Sequence, residues 1–190
     1  WKEYSQIDRL VYLVGNAGPK WATKYNVEGG MHGDGLQAAN SLSTEFTTTI
    51  RYNNTIWKRA YREGLPYTPQ QKYQSTTHEP DGVEITFQPD FTIFDANDFD
   101  YDLIAQRCRD IAYTLPHLTI ELEDQRENPV KRETFHYPDG LKALIAEHNH
   151  GKNTLTDIMY HRETFQATNY RDEPSEIVVE FAYQLTDSAE

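Results

Sequence analysis

Between Gly29 and Gly35 the chain packs four glycines into seven residues, Gly29-Gly30-Met31-His32-Gly33-Asp34-Gly35. No regular element tolerates that density, because each glycine inside a helix or strand costs roughly 0.5–1 kcal/mol relative to alanine. The stretch is therefore a loop, and residues 36–43, Leu-Gln-Ala-Ala-Asn-Ser-Leu-Ser, read as a helix that starts where it stops. A glycine loop feeding a helix N-terminus makes an anion site without Lys or Arg. Its peptide N–H groups approach a ligand with no Cβ in the way, and the first helical N–H groups have no intrahelical partner. Glycine-rich loops also occur as plain turns, and that reading competes until neighbouring residues are weighed.

A chain of 190 residues is long enough for one domain with a real core, or one domain and part of another. With 13 Tyr, 8 Phe and 3 Trp it has the aromatic content of a folded chain. A net charge of −12 repels nucleic-acid phosphate on average, so any DNA contact would need a local basic patch or another part of the protein. The single cysteine, Cys108, has no internal disulfide partner and reads as a small core residue. No apolar run approaches the length of a membrane span, and Trp1-Lys2-Glu3-Tyr4 does not resemble a signal peptide. The expectation is a soluble, cytoplasmic protein without membrane contact.

Residues 7–14 form an apolar run of undecided type, stopped by Gly15-Asn16-Ala17-Gly18-Pro19. Residues 47–52 and 55–61 about Asn53-Asn54 read as a β-hairpin, with Lys58, Arg59 and Arg62 as its solvated face. Residues 64–80 are polar, contain proline and read as loop. Val83, Ile85 and Phe87 alternate with polar residues as a half-buried strand closed by Pro89. Ile104, Cys108, Ile111 and Leu115 share one helix face, with Asp98 or Asp100 at its start and Pro116 at its end. Leu118, Ile120 and Leu122 predict a strand paired with residues 134–137, and residues 141–147 a helix. The polar run 147–153 is the best linker candidate, and beyond it Ile158, Tyr160 and the alternation Ile177, Val179, Phe181, Tyr183, Leu185 predict strands.

Other constellations are weaker. His148, His150 and His161 lie mostly in polar loop sequence, and no metal site is expected from them. The acidic stretch 95–102 lacks the spacing of a calcium loop and reads as a helix N-terminus.

Set beside Ala17-Gly18-Pro19-Lys20-Trp21, Tyr25-Asn26-Val27-Glu28 and Asn40-Ser41-Leu42-Ser43, the glycine loop resembles the ATPase region of the DNA gyrase B family, the B subunits of type II DNA topoisomerases. The resemblance continues in order through Phe87-Gln88-Pro89-Asp90, Ile93-Phe94, Phe99-Asp100-Tyr101, residues 107–112, Phe135-His136-Tyr137 and Gly140-Leu141-Lys142. It implies a GHKL-type ATP site in an α/β fold, an α+β sandwich whose helices cover a mixed sheet and whose lid closes over nucleotide. Residues 1–150 would be the C-terminal part of that ATPase domain and residues 151–190 the start of a transducer domain. By position, Gly30, His32, Gly33, Asp34 and Gly35 would cradle the triphosphate, Lys20 would point at a phosphate, and Tyr25 would reach the adenine side from the lid. The bland alternatives are a solvated Lys20, a Tyr25 that packs the lid, and a His32 that only holds the loop.

The resemblance further implies ATP and Mg²⁺ as cofactors, a homodimer of B subunits, an A-subunit partner, and DNA contact through other parts of the protein. It places the catalytic glutamate, the magnesium-binding asparagine and the Asp-x-Gly-x-Gly segment upstream of this chain, so no catalytic residue and no metal ligand is expected within it. Three positions depart from the family pattern. Asp34 sets a carboxylate in the phosphate loop, repulsive toward a triphosphate by several kcal/mol at low effective dielectric unless it turns outward or meets a cation. Pro19 replaces glycine, and Val83 replaces a threonine that faces adenine, with loss of a hydroxyl. These departures favour an alternative, an interaction module that keeps the fold without binding nucleotide.

Overall fold

The computed structural model describes residues 34–77, 79–95, 98–168 and 174–187. The chain divides into two compact units, Trp1–Asn97 and Asp98–Glu190.

In the first unit, α1 (Gly35–Ser41) leads into β1 (Ser43–Tyr52), followed by β2 (Thr55–Arg62), β3 (Leu65–Pro66), β4 (Gln71–Gln74) and β5 (Gly82–Pro89). The sheet order is β3-β2-β1-β5, with β4 also paired to β2. All of these pairings are antiparallel, so any parallel pairing of the mixed sheet implied by the resemblance lies outside the described residues. The hairpin expected about Asn53-Asn54 is present: both residues have positive φ, 49° and 57°, as a tight turn matched to strand twist requires, and Tyr52 pairs with Thr55 across it.

Register fixes the sheet's faces. Phe46, Thr48 and Ile50 lie opposite Tyr61, Arg59 and Trp57 on one side and Phe87, Ile85 and Val83 on the other. Directly opposed residues share a face, so these nine form one surface. Its core is Phe46 and Tyr61, both fully buried, meeting edge to face at 6.0 Å with Ala39 of α1 and Ile85 packed against them. Burial of each such ring contributes about 1.5–3 kcal/mol.

Four expectations are corrected in this unit. The helix expected over 36–43 ends at Ser41, because the β-branched run after Ser43 carries the backbone into β1. Arg59 is buried rather than solvated, since it sits two residues from Tyr61 on the core face; Lys58 and Arg62 remain exposed. The stretch 64–80 contains β3 and β4 within its loops. β5 has the expected period, yet Val83 and Phe87 on its apolar face stay exposed.

The second unit contains α2 (Tyr101–Thr114), β6 (Ile120–Asp124), β7 (Lys131–Phe135), α3 (Leu141–His148), β8 (Met159–Thr168) and β9 (Pro174–Tyr183). Asp100 caps α2 by accepting from the Leu103 N–H at 3.1 Å, and Leu115, just before Pro116, is its C-cap. The buried residues of α2 are Ala105, Ala112 and Tyr113, with Tyr101 and Cys108 half-buried against the Phe135 cluster; of the expected face Cys108 joins this core, and Ile104, Ile111 and Leu115 are half-buried. The two alanines let Phe135 of β7 close onto the helix, and larger side chains there would hold it off. Cys108 is a half-buried member of this core. The 147–153 run, expected as a linker, lies within this unit: Asn149 Nδ2 donates to Gln184 Oε1 at 3.1 Å and Asn153 Nδ2 to Asp187 Oδ2 at 2.7 Å. β8 and β9 pair in continuous register from Met159–Tyr183 to Thr168–Pro174.

Candidate nucleotide site

Lys20, Tyr25, Gly30, His32 and Gly33 lie outside the described residues, as does Pro19. The described part of the site is its exit, Asp34, Gly35 and α1. The first intrahelical bond runs from the Ala38 N–H to the Asp34 carbonyl at 2.8 Å, so the N–H groups of Gly35, Leu36 and Gln37 precede the hydrogen-bonded ladder. Asp34 occupies the N-cap position with φ −89°, and its side chain does not cap the helix. Among the described residues a Cβ built on Gly35 would meet nothing within 4 Å, and φ there is not left-handed. Packing against the described residues therefore does not demand glycine at 35.

The far end of α1 is tied to the sheet. Asn40 is fully buried, and its Nδ2 donates to the Gly64 carbonyl at 3.4 Å while the Gly64 N–H donates to the Asn40 carbonyl at 3.1 Å. Ser43, also buried, donates from Oγ to the Ala39 carbonyl at 2.5 Å, and the Glu63 N–H donates to the Ser43 carbonyl at 2.9 Å. These bonds fix the helix that carries the end of the glycine loop to the turn between β2 and β3. Sequence reading placed Asn40 and Ser43 in a helix and missed this anchoring role. A polar Asn-x-x-Ser set at the point where the helix gives way to a β-branched strand was the available signal.

Val83 pairs with Ile50 on the core face and is 62% exposed. That end of the sheet offers an apolar surface with no hydroxyl at position 83. Among the described residues no group of three or more His, Cys, Asp or Glu is placed to hold a metal ion. His161 lies beside Glu163 at 3.3 Å and against Phe181, in the second unit. The acidic residues about the start of α2 meet protein partners: Asp98 pairs with Arg126, Asp100 caps α2, and Asp102 in its first turn meets Lys131 at 3.2 Å.

No protein-family model matches the chain. The DNA gyrase B protein of Thermotoga maritima is 32% identical over 180 residues, 94% of this chain and 28% of that protein. The DNA topoisomerase 4 B protein of Enterococcus faecalis is 32% identical over 179 residues, 94% of this chain and 25% of that protein. The chain is a partial, divergent relative of the type II topoisomerase B subunits. It spans about a quarter of the length of the curated relatives it matches. Among solved structures, the 43K ATPase domain of Thermus thermophilus gyrase B, in complex with an aminocoumarin, superposes with a TM-score of 0.65 over 81% of this chain and 39% of that one, at 23% identity. That likeness establishes the fold: an α+β arrangement of the gyrase B ATPase kind. Among the described residues no helix is long and apolar enough to cross a membrane.

Proposed function

We propose that this chain is the lid, phosphate-loop and relay segment of a gyrase-like B protein, in which ATP binding and hydrolysis are coupled to DNA strand passage and supercoiling. The observation that carries the reading is colinearity: relatedness to gyrase and topoisomerase 4 B proteins extends over 94% of the chain, so the glycine loop, α1 and both units fall in the family's order. Gly30, His32, Gly33, Asp34 and Gly35 hold the triphosphate through backbone N–H groups. Lys20 adds a cation, and Tyr25 closes on the base. Gly35 and the first N–H groups of α1 fit a phosphate, because among the described residues nothing crowds Gly35 and those N–H groups precede the helical ladder. Mg²⁺ would be held by a residue of the family's upstream segment and would neutralise phosphate charge. Residues 1–150 act as ATPase domain and residues 151–190 as the start of the transducer. A second B subunit, an A subunit and DNA engage the intact cytoplasmic protein.

A second reading is favoured by Asp34, whose carboxylate borders the anion site, and by Val83, which brings no hydroxyl to the sheet face. In that reading the chain keeps the fold as an interaction module and binds no nucleotide. Calorimetric titration of the chain with Mg-ATP, beside Asp34→Val, separates the two. Saturable binding that tightens in Asp34→Val supports the ATP reading with Asp34 as its handicap. Binding gained only in Asp34→Val supports the module with Asp34 as its cause, and no binding by either protein shows that Asp34 is not the cause.

A further inference from the structure

The dipeptide Asp-Gly occurs at Asp34-Gly35, Asp81-Gly82 and Asp139-Gly140. Its glycine nitrogen can attack the side chain of the aspartate before it, because glycine has no Cβ to shield that nitrogen. An aliphatic residue follows each glycine, namely Leu36, Val83 and Leu141, so the fold is what chiefly distinguishes the three. Ring closure needs a glycine N–H that is not already donating to the protein. It also needs an aspartate whose ψ can turn until that nitrogen stands over its side-chain carbon.

Two of the sites are held against this. The Gly140 N–H donates to the Tyr137 carbonyl at 2.9 Å, and the Asp139 carbonyl accepts from the Lys142 N–H at 3.1 Å. Gly140 is buried, and a Cβ there would stand 3.0 Å from Pro116 Cγ and 3.3 Å from the Tyr113 carbonyl oxygen, so the backbone has little room to turn. Asp81 Oδ1 accepts from the Asn53 N–H at 2.9 Å, and Gly82 begins β5 opposite Arg51; turning ψ of Asp81 would break the first and unpair the second. Asp34 differs on each count. The Gly35 N–H precedes the helical ladder, Gly35 is exposed, and no described residue lies within 4 Å of a Cβ built on it. The Asp34 side chain does not cap α1, so helix N–H groups do not hold it away from the Gly35 nitrogen. Turning ψ from −7° breaks the outermost bond of α1, from the Ala38 N–H to the Asp34 carbonyl at 2.8 Å, at a helix end, where local opening is easiest.

We propose that Asp34-Gly35 is a site of spontaneous isoaspartate formation, selected by the fold over the two other Asp-Gly pairs. The Gly35 nitrogen attacks Cγ of the carboxylic acid form of Asp34. An N–Cγ bond forms, the Cγ–OH bond breaks, and the hydroxyl leaves with the amide proton as water, giving a five-membered succinimide. Water then adds back to one of the two ring carbonyls. Addition at Cγ restores aspartate. Addition at the Asp34 backbone carbonyl carbon breaks its bond to nitrogen, so the chain now runs through Cβ and Cγ, one atom longer, with its carboxylate on Cα. The added atom enters where the glycine loop meets α1.

Ageing the whole chain at neutral pH and body temperature tests the proposal. Isoaspartate leaves the mass unchanged, so it is read in two ways. An isoaspartate methyltransferase transfers a labelled methyl group from S-adenosylmethionine to the new carboxylate, and an endoproteinase that cleaves before aspartate fails to cleave before isoaspartate. In the folded chain, label accumulates severalfold faster in the peptide carrying residue 34 than in those carrying residues 81 and 139. In guanidinium the three rates converge. Gly35→Ala slows the reaction at residue 34 severalfold, and Asp34→Glu abolishes it, since the six-membered ring closes far more slowly. Label that appears at residue 81 or 139 as fast as at 34 in the folded chain, or that never appears at 34, overturns the proposal. An order of rates that unfolding leaves unchanged overturns it as well, since neighbouring sequence rather than the fold would then select the site.

Discussion

Asn40 and Gly64 exchange two hydrogen bonds, the Asn40 amide to the Gly64 carbonyl at 3.4 Å and the Gly64 N–H to the Asn40 carbonyl at 3.1 Å. This reciprocal pair joins the end of α1 to the turn after β2. Gly64 has φ +79°, and a Cβ there would stand 3.0 Å from Ser41 Oγ and 3.3 Å from Ser41 Cα. Gly64→Ala therefore combines left-handed strain with a clash against helix backbone, and is expected to cost about 1–3 kcal/mol in urea unfolding.

Gly35 behaves oppositely. With no described residue within 4 Å of a Cβ there and no left-handed φ, Gly35→Ala is expected to leave stability unchanged or to raise it by no more than about 1 kcal/mol. If the backbone at 35 meets phosphate, Mg-ATP affinity measured by calorimetry falls about tenfold, equivalent to about 1.4 kcal/mol. Stability and affinity then move independently, which identifies a glycine retained for a ligand rather than for the fold.

In the second unit Tyr113 is buried, stacks on Tyr137 at 3.9 Å and donates its hydroxyl proton to Glu147. Burial, then the Glu147 bond, push the phenol above its ordinary value of 10.0. Above that pH the unfolded chain releases this proton while the folded chain retains it. The contribution is thus complete below pH 10.0 and is lost as pH rises beyond it. Tyr113→Phe should cost about 1 kcal/mol at neutral pH. Thermal melts of the two proteins should converge as pH rises past 10.0.

At the acid end, Arg126 holds Asp124 through a side-chain bond at 2.5 Å and a backbone N–H bond at 3.0 Å, lowering its carboxyl from 3.8 to about 2. Arg126 also donates to the Phe99 carbonyl at 2.7 Å, so the pair fastens the β6–β7 turn to the approach to α2. A lowered carboxyl stabilises above its unfolded pKa of 3.8 and ceases to do so as pH falls toward 2. The difference in melting temperature between wild type and Asp124→Asn should be full at neutral pH and shrink between those values.

Hairpins and helix caps were legible in the sequence because their signals are local. Asn53-Asn54 announced a turn, Asp98 or Asp100 a helix start and Pro116 a stop; the turn and the stop are present, and Asp100 is the cap. The core faces were less legible, because they depend on what packs from elsewhere. Phe135 selected Ala105 and Ala112 over Ile104 and Ile111 as the buried stripe of α2, and the pairing of Arg59 with Thr48 on the Phe46 face buried an arginine that composition assigned to solvent. Of the site, the glycine loop and its helix could be read from the residues; the bonds by which Asn40 and Ser43 tie this helix to the turn after β2 were not, since that turn lies twenty or more residues away.

The most direct test of the account is amide hydrogen exchange of the whole chain with and without saturating Mg-ATP. It predicts slowed exchange at residues 29–41, the glycine loop and α1, with β8 and β9 unchanged. Unaltered exchange at 29–41, or protection confined to other segments, would contradict the claim that this loop holds a triphosphate.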